Sequence, residues 1–411
     1  MKNVLFLLLI LCGWGTQVYA TAAAPKYDRS PQNVILEVTS QTSPAAALKI
    51  GMLHGMNGQQ PADDLVAPLK MAYWRSGRTS DAYLNQIKRL NGKFQFVVGD
   101  KWGYGSKMKA PHENMREWEE LVRKWARQLK GKVDFWEPWN EPDIDHFWPY
   151  DEENYFKIWK AAYKVLRAEL GSDALIVGPS LAKFDKEFMK RFFDFALKEK
   201  LEVNIASWHS IIDSISNIPI NAEWFESEIF SNPKYAPLKL KAYHIDEFSG
   251  KGGQYSPGTT LTYLWQLEKT SATYAAKACW DSIDGKEQNC NNNSLLGMLD
   301  PKNLSKRSVW WLFQAYSNAQ GKKRLQLKGS KKFLPAIGWQ RDSGERVILI
   351  GLADAINAPE KVFLSLNSQG KIKTVERLKD NGEGLSKGFI PAKADKNLRL
   401  DAGEVLRVLV E

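Results

Sequence analysis

Two short stretches carry the acids that could do chemistry. They are Phe135-Trp136-Glu137-Pro138-Trp139-Asn140-Glu141-Pro142 and Ala242-Tyr243-His244-Ile245-Asp246-Glu247-Phe248. Each runs as an apolar or aromatic strand into a glutamate and then breaks. Two carboxylates at two strand ends meet the needs of glycoside hydrolysis. One stays protonated and gives its proton to the leaving oxygen. The other stays ionised and attacks or stabilises the anomeric carbon. A lone glutamate is usually a solvated surface acid. It is the pair, with Asn140 immediately before Glu141, that favours chemistry.

The elements that must position this pair alternate. Strand-like runs fall at residues 50–53, 70–74, 94–98, 133–139, 175–177, 203–208, 238–245 and 275–280. Between them lie amphipathic helices. Residues 114–130 place Met115, Trp118, Leu121, Val122, Trp125 and Leu129 on one face, the spacing of a helix with a buried stripe. Residues 152–170 repeat the pattern and stop at Gly171, and residues 185–198 do so with Phe188, Met189, Phe192 and Phe195. Eight strands alternating with helices predict a closed (β/α)8 TIM barrel. A doubly wound sheet is the alternative, but no glycine-rich phosphate turn follows any strand. In a barrel the chemistry sits at the C-terminal strand ends, which is where Glu141 and Glu247 are expected. By the period of two, Glu137, Trp139 and Glu141 should share one face of the fourth strand.

After a helix at 308–319 the pattern changes. Short runs at 346–352, 362–366, 372–378, 397–400 and 405–410, with turn signals at Asn381-Gly382 and Asp401-Ala402-Gly403, predict a small antiparallel β-sandwich. The expected division is a signal peptide at 1–20, an N-terminal segment at 21–48, the barrel at 49–320 and the β domain at 321–411. The β-branched run at 34–38 is a candidate extra strand for that β domain.

The motifs Trp139-Asn140-Glu141-Pro142 and Ile245-Asp246-Glu247-Phe248 resemble those of clan A retaining glycoside hydrolases, nearest glycoside hydrolase family 39 and its bacterial exopolysaccharide-degrading members. The resemblance spans nearly the whole chain after residue 20. It implies that Glu141 is the general acid/base, Glu247 the nucleophile, and Asn140 the donor to the sugar 2-hydroxyl. It also implies that Arg75, in Tyr73-Trp74-Arg75-Ser76-Gly77, holds the nucleophile ionised, and that His209 lies near that nucleophile. Where relatives carry an aromatic residue two positions on, this chain has Ile211, so Tyr243 becomes a candidate partner for Glu247. Independently of the family, a cation lowers the pKa of Glu247 and apolar surroundings raise that of Glu141.

Trp280, at the end of the eighth strand, and Trp102, after the third, are candidates for stacking on a pyranose face; core packing is the competing role. His54 and Asn57, after the first strand, are candidate sugar contacts. The chain's five histidines show no metal-ligand spacing, and neither a Gly-x-Ser-x-Gly elbow nor a phosphate loop is present. No cofactor is expected. Asp143-Ile144-Asp145-His146 reads as a capped loop rather than a cation site.

Residues 1–20 have a charged start, an apolar run at 4–11 and Val18-Tyr19-Ala20 at the expected cleavage point. Export to the periplasm or medium follows, with cleavage after Ala20 and no later stretch able to span a membrane. Leu11 stands where a lipidation motif before Cys12 needs a small residue. The remaining cysteines, Cys279 and Cys290, are expected to pair, which would contribute about 3 kcal/mol in the chain-entropy model. The formal charge of the full chain is +10. Its basic residues are scattered, which argues against a nucleic-acid groove and leaves attraction to an anionic polysaccharide. A monomer acting on carbohydrate is expected. Two alternatives use the same residues: a transglycosylase, and a polysaccharide-binding protein on an enzyme fold.

Overall fold

The computed structural model describes residues 28–103, 110–250, 254–279, 293–354, 357–379 and 386–411. The expected signal peptide, Cys12, Trp280 and Cys290 lie outside them. Strand β1 (Gln32–Pro44) comes first. Strands β2 (Lys49–Leu53), β3 (Tyr73–Ser76), β4 (Lys93–Val97), β5 (Phe135–Glu137), β6 (Leu175–Leu181), β7 (Ile205–Ser210), β8 (Ala242–Phe248) and β9 (Tyr274–Lys277) then close a barrel in chain order. The eight expected strands are these eight. The fourth is the most shortened, because Pro138 has no N–H to continue the ladder.

The helices form where the apolar spacing places them. Glu152–Leu170 begins with the Asp151 carboxylate accepting the Asn154 N–H and ends at Gly171, whose φ is 86°. Asp185 caps Lys186–Lys198 in the same way. Met115–Gln128 buries Trp118, Val122 and Ala126. Burying one large apolar side chain contributes about 1.5–3 kcal/mol. The tryptophans also satisfy their N–H groups: Trp118 donates to Ile158 O at 2.9 Å and Trp159 to Val177 O at 3.2 Å. Inside the barrel, Tyr73, Phe135, Val177, Ile205, Tyr274 and Ala276 form a separate apolar plug. Tyr73 stacks on Tyr274 with ring centres 4.8 Å apart. Polar side chains occupy the space above this plug.

The second domain contains β10 (Lys323–Lys328), β11 (Ala336–Gln340), β12 (Arg346–Gly351), β13 (Lys361–Ser368), β14 (Ile372–Leu378), β15 (Ile390–Ala392), β16 (Asn397–Asp401) and β17 (Val405–Val410). With β1 they form one nine-stranded sheet, ordered β15-β14-β17-β12-β11-β10-β1-β13-β16. It curls around a core that includes Leu36, Leu364, Leu366, Leu400 and Val408. The expectation of a wholly antiparallel sheet is corrected at one pair: β1 runs parallel to β13. The two strands come from opposite ends of the chain, so no hairpin fixes their direction. The sheet lies directly against the barrel. Gly258 N–H donates to Gly403 O at 3.0 Å. A Cβ on Gly258 would come within 2.0 Å of Leu352 O, so this close approach needs glycine. Arg324 of β10 ion-pairs with Glu268 beside the barrel, and Tyr316 donates to the same carboxylate at 2.6 Å. Among the described residues no helix is long and apolar enough to cross a membrane.

Candidate active site

Arg75 organises the mouth of the barrel. It ends β3 with one more residue and is 1 % exposed. Its Nε and Nη2 donate to the two oxygens of Glu137 at 2.7 and 2.5 Å. Nη2 also donates to Asn140 Oδ1 at 2.6 Å, and Nη1 to Glu247 Oε1 at 2.7 Å. One guanidinium therefore fixes three groups at once, the use to which arginine's planar fork is suited. The bond to Oδ1 also sets the Asn140 amide, leaving its NH2 to donate elsewhere. Below this layer, Gln95 donates to Glu137 Oε2 at 2.7 Å and to Asp246 Oδ2 at 2.9 Å. Tyr73 donates to Asp246 Oδ1 at 3.0 Å.

Glu141 does not belong to β5. The strand stops at Glu137, and the chain turns through Pro138 before reaching Glu141. Its φ is 48°, a left-handed conformation that costs a non-glycine residue energy and clusters at functional sites. Its N–H donates to Ser180 O at 2.9 Å, which anchors the turn on the next strand. The shared face expected for Glu137, Trp139 and Glu141 is thus corrected. Glu137 faces the barrel interior, whereas Trp139 stacks edge-on against Trp118 and Trp148 among the helices.

Glu247 lies within β8, one residue before its end. The ladder to β7 shifts register here, so His209 pairs with Glu247 and Asp246 is skipped. Such an irregularity re-aims side chains. It explains how neighbours Asp246 and Glu247 both bond Gln95, Tyr73 or Arg75 inside the barrel. His209 Nδ1 is 2.7 Å from Glu141 Oε1 and 3.9 Å from Glu247 Oε2. One oxygen of Glu141, one of Glu247 and a ring nitrogen of His209 all lie within 4.8 Å of one another. All three are buried.

Burial pushes Glu247 up to about 7; His209 and Arg75 pull against it, while Glu141 and Glu137 add to the rise. The expectation that Arg75 keeps Glu247 low is therefore corrected. Its single charge is shared with Glu137 and with Asp246, 3.7 Å away. Burial opposes a charge on His209, but the Glu247 charge and the bond to Glu141 outweigh it and hold the imidazole above its usual value. His209 and Glu247 thus act on each other's charge. Together with Glu141 they are also, among the described residues, the one group close enough to ligate a cation. The Arg75 guanidinium on Glu247 opposes one there.

Tyr243 is not the partner of Glu247. Its ring stacks on Trp208 and its hydroxyl donates to Glu226 at 2.5 Å, outside the barrel wall. It precedes Asp246 by three residues, and strand alternation turns it to the helix side. Trp102 is buried with its ring edge-on to Trp118, in the helix layer. His54 stands at the mouth, with Nδ1 2.7 Å from Ser76 Oγ. Burial, aided by Arg78 and Arg75, lowers it to about 3, so it is neutral. Asn57 Oδ1 accepts the N–H groups of Gln59 and Gln60 at 2.9 and 2.7 Å and is occupied in its own turn. Asp143 accepts the N–H of Ala182 at 2.7 Å, a loop-closing role. Cys279 is buried after β9, beside Tyr255. Sequence reasoning missed Gln95, Asp246 and the role of Glu137 in holding Arg75. Their signal was a polar side chain inside an otherwise apolar strand.

No protein-family model and no curated protein matches the chain. Solved structures do. N2152 from Neocallimastix frontalis is 15 % identical, with a TM-score of 0.71 over 92 % of this chain and 99 % of that one. A GH39 β-xylosidase from Caulobacter crescentus is 14 % identical, with a TM-score of 0.63 over 92 % and 99 %. A GH30 endoxylanase from Clostridium papyrosolvens is 12 % identical, with a TM-score of 0.53 over 92 % and 100 %. The chain shares their fold. The likeness covers both domains, and it falls on glycoside hydrolases of clan A, as the strand motifs implied.

Proposed function

We propose that this chain is a retaining glycoside hydrolase acting on a poly- or oligosaccharide. The observation that carries the reading is the close approach of Glu141 and Glu247, with an oxygen of each within 4.8 Å of the other. Retaining enzymes hold their carboxyl groups roughly 5–5.5 Å apart, and inverting ones leave about 6.5–9.5 Å for a water. Glu247 attacks the anomeric carbon while Glu141 protonates the glycosidic oxygen. Glu141 then takes a proton from water, which releases the sugar from Glu247. Asn140, held through its oxygen by Arg75, offers its NH2 to the sugar 2-hydroxyl. His209 can hold or pass a proton next to Glu141. The net positive charge supports an anionic polysaccharide as substrate, and the N-terminal pattern supports export.

A screen of aryl glycosides and polysaccharides, with the first-formed anomer followed by NMR, tests the mechanism. Retained configuration is expected; an inverted first product refutes double displacement. Azide should rescue Glu141→Ala on an activated substrate and yield a retained glycosyl azide, while any azide product of Glu247→Ala should be inverted. A retained azide from Glu247→Ala with an inverted one from Glu141→Ala would reverse the roles. Products longer than the substrate would make the chain a transglycosylase.

A further inference from the structure

Arg75 is fully engaged by acids, but a second arginine at the same mouth is not. Arg78 lies three residues on, half-buried, in the loop after β3. Its backbone N–H donates to Ser76 Oγ at 2.8 Å. Its side chain has one neutral partner, Asn293 Oδ1, at 3.3 Å from Nη1. Among the described residues it forms no ion pair. Among the described residues most of the guanidinium fork is therefore open, with its donors in the plane that matches an oxyanion.

Its surroundings suit the same ligand. His54 N–H donates to the Arg75 carbonyl at 2.9 Å, which sets His54, Ser76 and Arg78 on the rim directly above the Arg75 layer. Ser76 Oγ accepts the Arg78 N–H and is hydrogen-bonded to His54 Nδ1. In the tautomer where Ser76 donates to Nδ1, the neutral imidazole carries its proton on Nε2 and adds a second donor.

We propose that Arg78, with His54 beside it, binds an oxyanion substituent on the sugar chain in the cleft, either a uronate carboxylate or a sulfate ester. This rests on the glycosidase reading and adds the feature of the substrate that the site selects. A charge-assisted bond of this kind is worth about ten- to a hundredfold in kcat/KM. Both cations flanking the cleft floor then have distinct tasks: Arg75 holds the protein's own acids, and Arg78 meets the acid of the substrate.

The test compares the wild type, Arg78→Gln and Arg78→Lys on matched pairs. The pairs are polygalacturonate, hyaluronan and a glucuronic-acid-bearing xylan, each against its carboxyl-reduced form, and a sulfated galactan against its desulfated form. The wild type should prefer one acidic member about tenfold or more. Arg78→Gln should lose that preference chiefly through KM, and Arg78→Lys should keep part of it. The pair that responds tells carboxylate from sulfate. Equal losses on charged and neutral forms, or no preference in the wild type, overturn the proposal. Affinity electrophoresis in gels containing the same polysaccharides reads binding without turnover, with exposed Lys331→Gln as the charge-matched control. Retardation lost in Arg78→Gln but kept in Lys331→Gln supports the site even if no glycan is cleaved, and equal mobility of the two overturns it. Absence of cleavage of every pair with intact retardation refutes the glycosidase reading instead.

Discussion

Replacing Glu247 with glutamine should make the protein more stable at pH 8 while abolishing turnover. Glu247 is 3 % exposed, and burial raises its pKa from 4.5 to about 7. The folded state therefore binds a proton that the unfolded state has released between about pH 4.5 and 7. Stability falls as pH rises through that window. The rise from 4.5 to about 7 corresponds to about 3 kcal/mol, present as a cost above pH 7. Burial is complete, so solvent screening does not reduce it. His209 acts in the same sense. Its raised pKa stabilises the fold below its unfolded value and ceases to do so as pH rises through the folded one. Glu247→Gln keeps an oxygen for Arg75 and removes the charge, and Glu137 and Asp246 still balance the guanidinium. For a chain of this length, about 3 kcal/mol is about 4 °C in Tm. Thermal unfolding at pH 5 and pH 8 measures both proteins. The wild type should lose Tm between the two values, and the variant should lose much less. A variant no more stable than the wild type at pH 8 would refute the claim that the site stores this cost. A gain in stability with loss of activity is the trade expected of a functional site.

Two further outcomes follow from the same structure. His209→Ala removes a positive charge that lowers Glu247, so the limb on which kcat/KM rises as Glu247 ionises should move to higher pH. Its loss should also be greater on poor leaving groups, because His209 acts through Glu141 at 2.7 Å; a uniform loss with an unmoved profile would make the histidine merely structural. If the chain is exported and cleaved after Ala20 as proposed, which takes Cys12 away, the protein should show no free thiol after unreduced unfolding, as a Cys279–Cys290 bridge requires; two free thiols in the cleaved protein would exclude that bridge.

Much of the fold was legible because the relevant signals are local. The helix Glu152–Leu170 carries its cap, its apolar stripe and its terminating glycine in adjacent residues. The eight barrel strands are short apolar runs between such helices, and their alternation leaves few ways to close. Strands β10, β11 and β15 were not anticipated. β10 is Lys323–Lys328, half-exposed and rich in lysine, so its sequence resembles a surface loop. It becomes a strand because β1 and β11 flank it.

The candidate site divides along the same line. Glu141 and Glu247 could be named from sequence, since each stands where a strand run breaks, and the resemblance of the strand motifs added Asn140 and Arg75. Which acid each base meets could not. Arg75 is bound bidentately by Glu137, 62 positions away, and Glu247, 172 positions away, receives only one of its donors. His209 meets Glu141 through a register shift that no local pattern records. By strict alternation Tyr243 would share a face with Glu247, and the register irregularity in β8 separates them. The sequence by itself determined which chemistry was on offer and where along the chain it would surface. Only the closed barrel decided how one buried arginine is divided among three acids, and hence why Glu247 is raised. The pKa of a buried group depends on every charge within a few ångströms, and those charges come from strands far apart in the chain.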